Sequence, residues 1–122
     1  MELGSAQEER ESNMALVMQL YYTGKNGDAR RFAEEMTSTG VVGRIRAEEG
    51  NLCYSYFTSM DDPETVLLVD MWRDQEALDH HHASPMMGEI MKLREKYDLH
   101  MRAERCVTDD ALSEHDQAFL RK

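Results

Sequence analysis

The chain has 122 residues, 41% of them hydrophobic, which suits one domain around a single core. Acidic residues outnumber basic ones by 24 to 14, and the resulting formal net charge of -10 repels polyanions, so nucleic acid is not an expected partner. No apolar run approaches the roughly 20 residues that span a bilayer, and no apolar signal-peptide core follows Met1, so no membrane association is expected and a cytoplasmic location is.

Residues 1–13, "MELGSAQEERESN", lack apolar periodicity and read as a flexible leader, which puts the domain at 14–108 and a C-terminal tail at 109–122. In "ALVMQLYY", Leu16, Met18, Leu20 and Tyr22 share one face of a strand and Val17, Gln19 and Tyr21 the other, and both faces are largely apolar. After the "TGKNG" break, Asp28 is placed to cap a helix whose Ala29, Phe32, Ala33 and Met36 repeat at helical spacing. Val41, Val42 and Ile45 then suggest a shorter helical piece that ends before Gly50.

"LCYSYFTS" reads as a second strand and "TVLLVDMW" as a third, and the short "MDDPE" loop between them predicts an antiparallel hairpin. Arg73 and Asp74 open a helical region that restarts at Ser84-Pro85, with Met87, Ile90, Met91 and Leu93 directed to the core. "HMRAERCVT" is a fourth strand, and the tail carries material for a short helix. Cys53 and Cys106, in strand-like surroundings without CxxC spacing, read as two reduced, half-buried thiols.

The order β, α, β, β, α, β is that of an α+β, ferredoxin-like fold, with helices on one face of a four-stranded antiparallel sheet. The other sheet face then needs cover, and a second copy of the chain supplies it most simply, so a homodimer is expected.

"LDHHHASPMM" holds three consecutive histidines. Successive helical residues point about 100° apart, so His80, His81 and His82 cannot converge on one metal, and their i+4 partners Ser84, Pro85 and Met86 do not complete a helical ligand pair. An internal run is not an affinity tag either. What remains open is solvated helix histidines or one histidine aimed into a pocket beneath the helix.

Glu49 and Gly50, Tyr54, Asp62 and Pro63, Asp70 and Trp72, Ala77 and Leu78, His81, Ser84 and Pro85 occur in an ordered pattern. Together they resemble the antibiotic biosynthesis monooxygenase (ABM) domain family and its quinol monooxygenase-like relatives over about residues 15 to 107. The resemblance implies a dimeric α/β barrel and a pocket between sheet and helices. It also implies oxidation of a quinol or other electron-rich small molecule by dioxygen with no metal, flavin or haem cofactor.

On that reading His81 matches the family histidine and is the expected general base or hydrogen-bonding group, with His80 and His82 as bystanders. Trp72, Tyr22, Tyr54 and Tyr56 are candidates to line the substrate pocket, against the alternative that each is ordinary core. Asp70 is a further substrate-site candidate, or one half of an ion pair with Arg102 or Arg105. Gln19, His81 and Met91 stand in the regions where haem-degrading relatives carry their haem-site residues, which disfavours haem degradation. A non-catalytic dimeric barrel that binds a small hydrophobic ligand is the competing reading, because one fold hosts both.

Overall fold

The structure is a computed structural model that describes residues 14–122. The expected leader, residues 1–13, lies outside the described residues. Four strands form one antiparallel sheet: β1 (Leu16–Thr23), β2 (Asn51–Thr58), β3 (Thr65–Trp72) and β4 (His100–Val107), in the order β2-β3-β1-β4. Helices α1 (Asp28–Ser38), α2 (Val41–Arg46), α3 (Gln75–His82) and α4 (Met86–Lys96) fill the crossovers, and α5 (Glu114–Gln117) follows β4. This is the ferredoxin-like α+β plan that the element order predicts. Among the described residues no helix is long and apolar enough to cross a membrane.

Period-2 alternation explains the two faces of the sheet. Along β3, Val66, Leu68, Asp70 and Trp72 are buried while Thr65, Leu67, Val69 and Met71 are only half-buried. Pairing carries the inner set across the sheet, with Tyr54 opposite Asp70, Tyr56 opposite Leu68 and Tyr22 opposite Val66. The helices close this side with Phe32, Met36, Val41, Val42, Ile45, Leu78 and Ile90. Val17, Tyr21, Leu67, Val69 and Phe57 stand on the other side, which no helix covers.

Three local expectations change. Asp28 lies inside the first turn of α1 rather than capping it: Gly27, at φ 84°, holds the N-cap position, and Asp28 accepts from Arg31 Nη1 at 2.9 Å. Met91 is 57% exposed, because the inward stripe of α4 runs through Ile90 and Arg94 at i+4 spacing and Met91 sits about 100° off it. Cys53 is half-buried as expected, but Cys106 is exposed, since all of β4 is an uncovered edge strand.

Candidate functional site

Helix α3 is anchored by Asp74, whose side chain accepts from the Ala77 backbone N–H at 2.9 Å. That start fixes its rotation, so Ala77, Leu78 and His81 face the sheet while His80 and His82 are exposed. The run of three histidines therefore resolves into one buried ring, 3% exposed, and two solvated ones. Among the described residues no group of three or more His, Cys, Asp or Glu side chains is arranged to hold a metal ion.

The His81 ring stacks on Trp72, with centroids 4.8 Å apart and planes at 27°. Its Nδ1 lies 3.0 Å from Glu48 Oε2 and 3.2 Å from Oε1. Sequence reading missed Glu48, which sits in a turn with no periodicity to mark it. Gly50 brings that turn against α3. Its φ is +84°, its carbonyl accepts from Arg73 N at 2.8 Å, and a Cβ there would stand 2.5 Å from Ala77 Cβ. Burial pulls the His81 pKa below its ordinary value, and the Glu48 carboxylate opposes that shift only in part. His81 is then neutral at neutral pH, and a neutral ring that donates Nδ1–H to Glu48 keeps Nε2 as its basic nitrogen.

All the other expected site residues lie on the same inner face. Trp72 and Tyr22 are 0% exposed, Tyr54 is buried, and Tyr56 is half-buried. Tyr54 lies edge-on to His81 at 6.4 Å and to Tyr56 at 5.9 Å. Phe32 joins Tyr22, at 5.0 Å, to Tyr56, at 6.2 Å. Burial raises the pKa of all three tyrosines, so they remain hydroxyl donors at any ordinary pH. The Tyr54 and Tyr56 hydroxyls influence each other's ionisation, yet Tyr56 Oη is buried with no partner in hydrogen-bond geometry.

Asp70 does not pair with Arg102 or Arg105. Trp72 Nε1 donates to its Oδ1 at 2.6 Å, because residues two apart on one strand share a face. Arg102 lies on the opposite sheet face, 3.8 Å over the Tyr21 ring and paired with Glu104. Burial pushes the Asp70 pKa up to about 7; the Trp72 bond draws it down, the Glu48 charge adds to the rise, and Arg94 opposes it. Arg94 is the second residue that sequence reading missed, and its Nη2 donates to Tyr22 Oη at 2.9 Å. Outside this group a cleft of about 540 Å³ opens between α3 and the Glu48 turn, lined by Glu48, Glu49, Arg73, Ala77, His80 and Ser84. His81 does not line it, whereas its partner Glu48 does.

The family model for antibiotic biosynthesis monooxygenase matches residues 15–93, which hold β1, β2, β3 and the inner-face residues other than Arg94. The chain belongs to the antibiotic biosynthesis monooxygenase family. A curated relative, "Putative monooxygenase YcnE" of Bacillus subtilis, is 30% identical over 81 residues, 66% of this chain and 83% of that one. A solved structure described as a "putative antibiotic biosynthesis monooxygenase" from Deinococcus radiodurans superposes with TM-score 0.69 at 14% identity, covering 80% of this chain and 96% of that chain. A conserved protein from Methanosarcina mazei gives TM-score 0.65 at 22% identity, over 80% and 94% of the two chains. At such identities the superpositions speak for the ferredoxin-like fold of the family and no further.

Proposed function

We propose that this ABM-family protein is a cofactor-independent monooxygenase that oxidises a quinol or other electron-rich hydroxyaromatic molecule with dioxygen, and that it works as a homodimer in the cytoplasm. The observation that carries this reading is the buried His81, stacked on Trp72 and held through Nδ1 by Glu48 at 3.0 Å. A neutral imidazole oriented by a carboxylate is an arrangement suited to a general base. Glu48 gives the pair its contact with the cleft.

In this mechanism the Glu48–His81 pair takes a proton from the substrate. The substrate anion passes one electron to dioxygen, the radical pair combines into a C–O bond, the peroxide anion takes the proton back from the pair, and the hydroperoxide loses water, with the hydrogen of the carbon that bears it, to leave a carbonyl. One oxygen atom ends in the product and the other in water, and the substrate supplies all four electrons that reduce dioxygen. Trp72, Tyr22, Tyr54, Tyr56 and Asp70 form the substrate side of the site. The free thiols Cys53 and Cys106 suit a reducing compartment.

Oxygen uptake by metal-stripped protein with a panel of quinols, beside His81→Ala and Glu48→Gln of matched circular dichroism, tests the proposal. Removing a general base lowers turnover by about 10²–10⁴-fold, so uptake above the autoxidation background is expected to vanish in His81→Ala. The apolar recess of about 340 Å³ beside Ala33, Tyr56, Phe57 and Val66 favours the second reading, a barrel that binds a hydrophobic ligand without turnover. Uptake that is absent, or untouched by either substitution, would leave that reading standing.

A further inference from the structure

Arg94 faces inward from α4, four residues after the buried Ile90. Its side-chain contacts are one hydrogen bond to Tyr22 Oη at 2.9 Å and a weak one to Met91 Sδ at 3.7 Å, with the guanidinium 5.5 Å from the Tyr22 ring centre. Neither partner carries charge, and Arg94 Nε is buried with no partner. Tyr56 Oη is buried and unpartnered as well. The guanidinium charge also acts on Tyr22, Tyr56, Asp70 and His81.

Leaving a buried donor unsatisfied costs about 1–3 kcal/mol, and more when the donor is charged, so two unused donors, with the guanidinium close enough to act on the phenol, point to an acceptor that arrives from outside the chain. A guanidinium N–H and a phenolic O–H together match an anionic oxygen. Tyr56, though not Arg94 or Tyr22, also lines a recess of about 340 Å³ whose wall includes Ala33, Phe57 and Val66 with the Arg30–Glu34 pair at its edge, which gives an aromatic ring a place to lie beside the Tyr56 hydroxyl.

We propose that Arg94, with the hydroxyls of Tyr22 and Tyr56, is the subsite for the ionised oxygen of a phenolate or enolate substrate. The inference rests on the monooxygenase reading above and deepens it. The base takes the proton of the substrate hydroxyl, the oxygen keeps the electron pair, and that oxygen accepts from Arg94 Nε–H and Tyr56 Oη–H; no electron moves in this step.

The probe is 4-nitrophenol, whose phenolate is coloured and too electron-poor to be oxidised by dioxygen, titrated near its own pKa. With the wild-type protein the phenolate band is expected to grow on binding. Arg94→Gln is expected to weaken binding about tenfold or more, the loss of a charge-assisted pair, and Arg94→Lys to recover only part of it. Tyr56→Phe is expected to weaken binding while leaving the Tm of the free protein unchanged or higher, because it deletes a hydroxyl with no partner. The proposal is overturned by no growth of the band with wild-type protein, by unchanged binding in a folded Arg94→Gln, or by a lowered Tm in Tyr56→Phe. Oxygen uptake is a separate readout: probe binding without turnover of any quinol sinks the monooxygenase reading and keeps the subsite, whereas turnover with binding indifferent to Arg94 does the reverse.

Discussion

Asp70 sits in an otherwise apolar strand, 4% exposed, with its hydrogen bond coming from Trp72 Nε1. Burial pushes its pKa up to about 7, whereas a carboxyl in the unfolded chain releases its proton near about 4. The folded chain therefore binds a proton that the unfolded chain lacks between those values, and stability falls as pH rises through about 4 to 7. The loss is absent below this window and complete above it, on the order of 2–4 kcal/mol. Asp70→Asn keeps an acceptor for the indole and cannot ionise. Its stability relative to wild type, from urea unfolding at a series of pH values, is expected to rise between pH about 4 and 7 and then level off. A difference that stays constant with pH would mean that Asp70 is not held protonated by its surroundings. His81 works in the opposite sense: burial lowers its pKa, so its contribution is present above about 6.5 and lost as pH falls through the lower folded value, equally in both proteins.

At the scale of elements, the turn before β2 and helix α3 must approach each other for Glu48 to reach His81. Gly50 allows this in two ways, by adopting φ +84° and by having no Cβ where Ala77 Cβ would be 2.5 Å away. Gly50→Ala thus incurs both a left-handed backbone penalty and a clash, together about 2–4 kcal/mol of stability. Ala77→Gly returns the space but not the backbone freedom, so a double-mutant cycle is expected to give a favourable coupling of about 1–2 kcal/mol between the two sites. Strict additivity would show that the two elements do not meet there. The same elements show what was legible in the sequence. Alternation of Leu16, Met18, Leu20 and Tyr22 and the helical spacing of Ala29, Phe32, Ala33 and Met36 mark patterns that burial sets, the exposed Asp-Pro loop marks a turn by its own chemistry, and the fold follows from them. His81 was legible through family pattern, and its burial follows from Ala77 and Leu78 four and three residues before it. Glu48 was not, because a turn residue carries no period and its meeting with α3 depends on the whole crossover. Arg94 had a signal in its i+4 spacing from Ile90, but a charge within a buried stripe reads as solvated until the structure shows what it faces.

At the scale of the molecule, four helices lie on one side of the sheet and leave Val17, Tyr21, Leu67, Val69 and Met71 half-buried on the other. Phe57 beside them is 52% exposed, and a recess of about 570 Å³ lies among Tyr21, Phe57, Leu67 and Arg102. Apolar surface of this extent on a sheet face favours association, and one sheet packed on its copy buries it symmetrically. Val69 occupies the middle of that face, between Gln19 and Ser55 on the neighbouring strands. In an isolated chain, Val69→Arg leaves the inner core untouched and extends the guanidinium into water. In a two-fold pair it sets two unpaired charges against each other in a desolvated interface, which costs several kcal/mol. Light scattering on eluted protein is therefore expected to give twice the chain mass for wild type and the single chain mass for folded Val69→Arg. A wild-type protein already monomeric at micromolar concentration, or a Val69→Arg protein that remains paired, would remove the sheet face as the dimer interface. Because His81, Glu48 and Arg94 all lie on the helix side, the monomeric variant should keep its 4-nitrophenol binding. Loss of binding together with the dimer would instead mean that the partner copy holds the inner group in shape through the sheet.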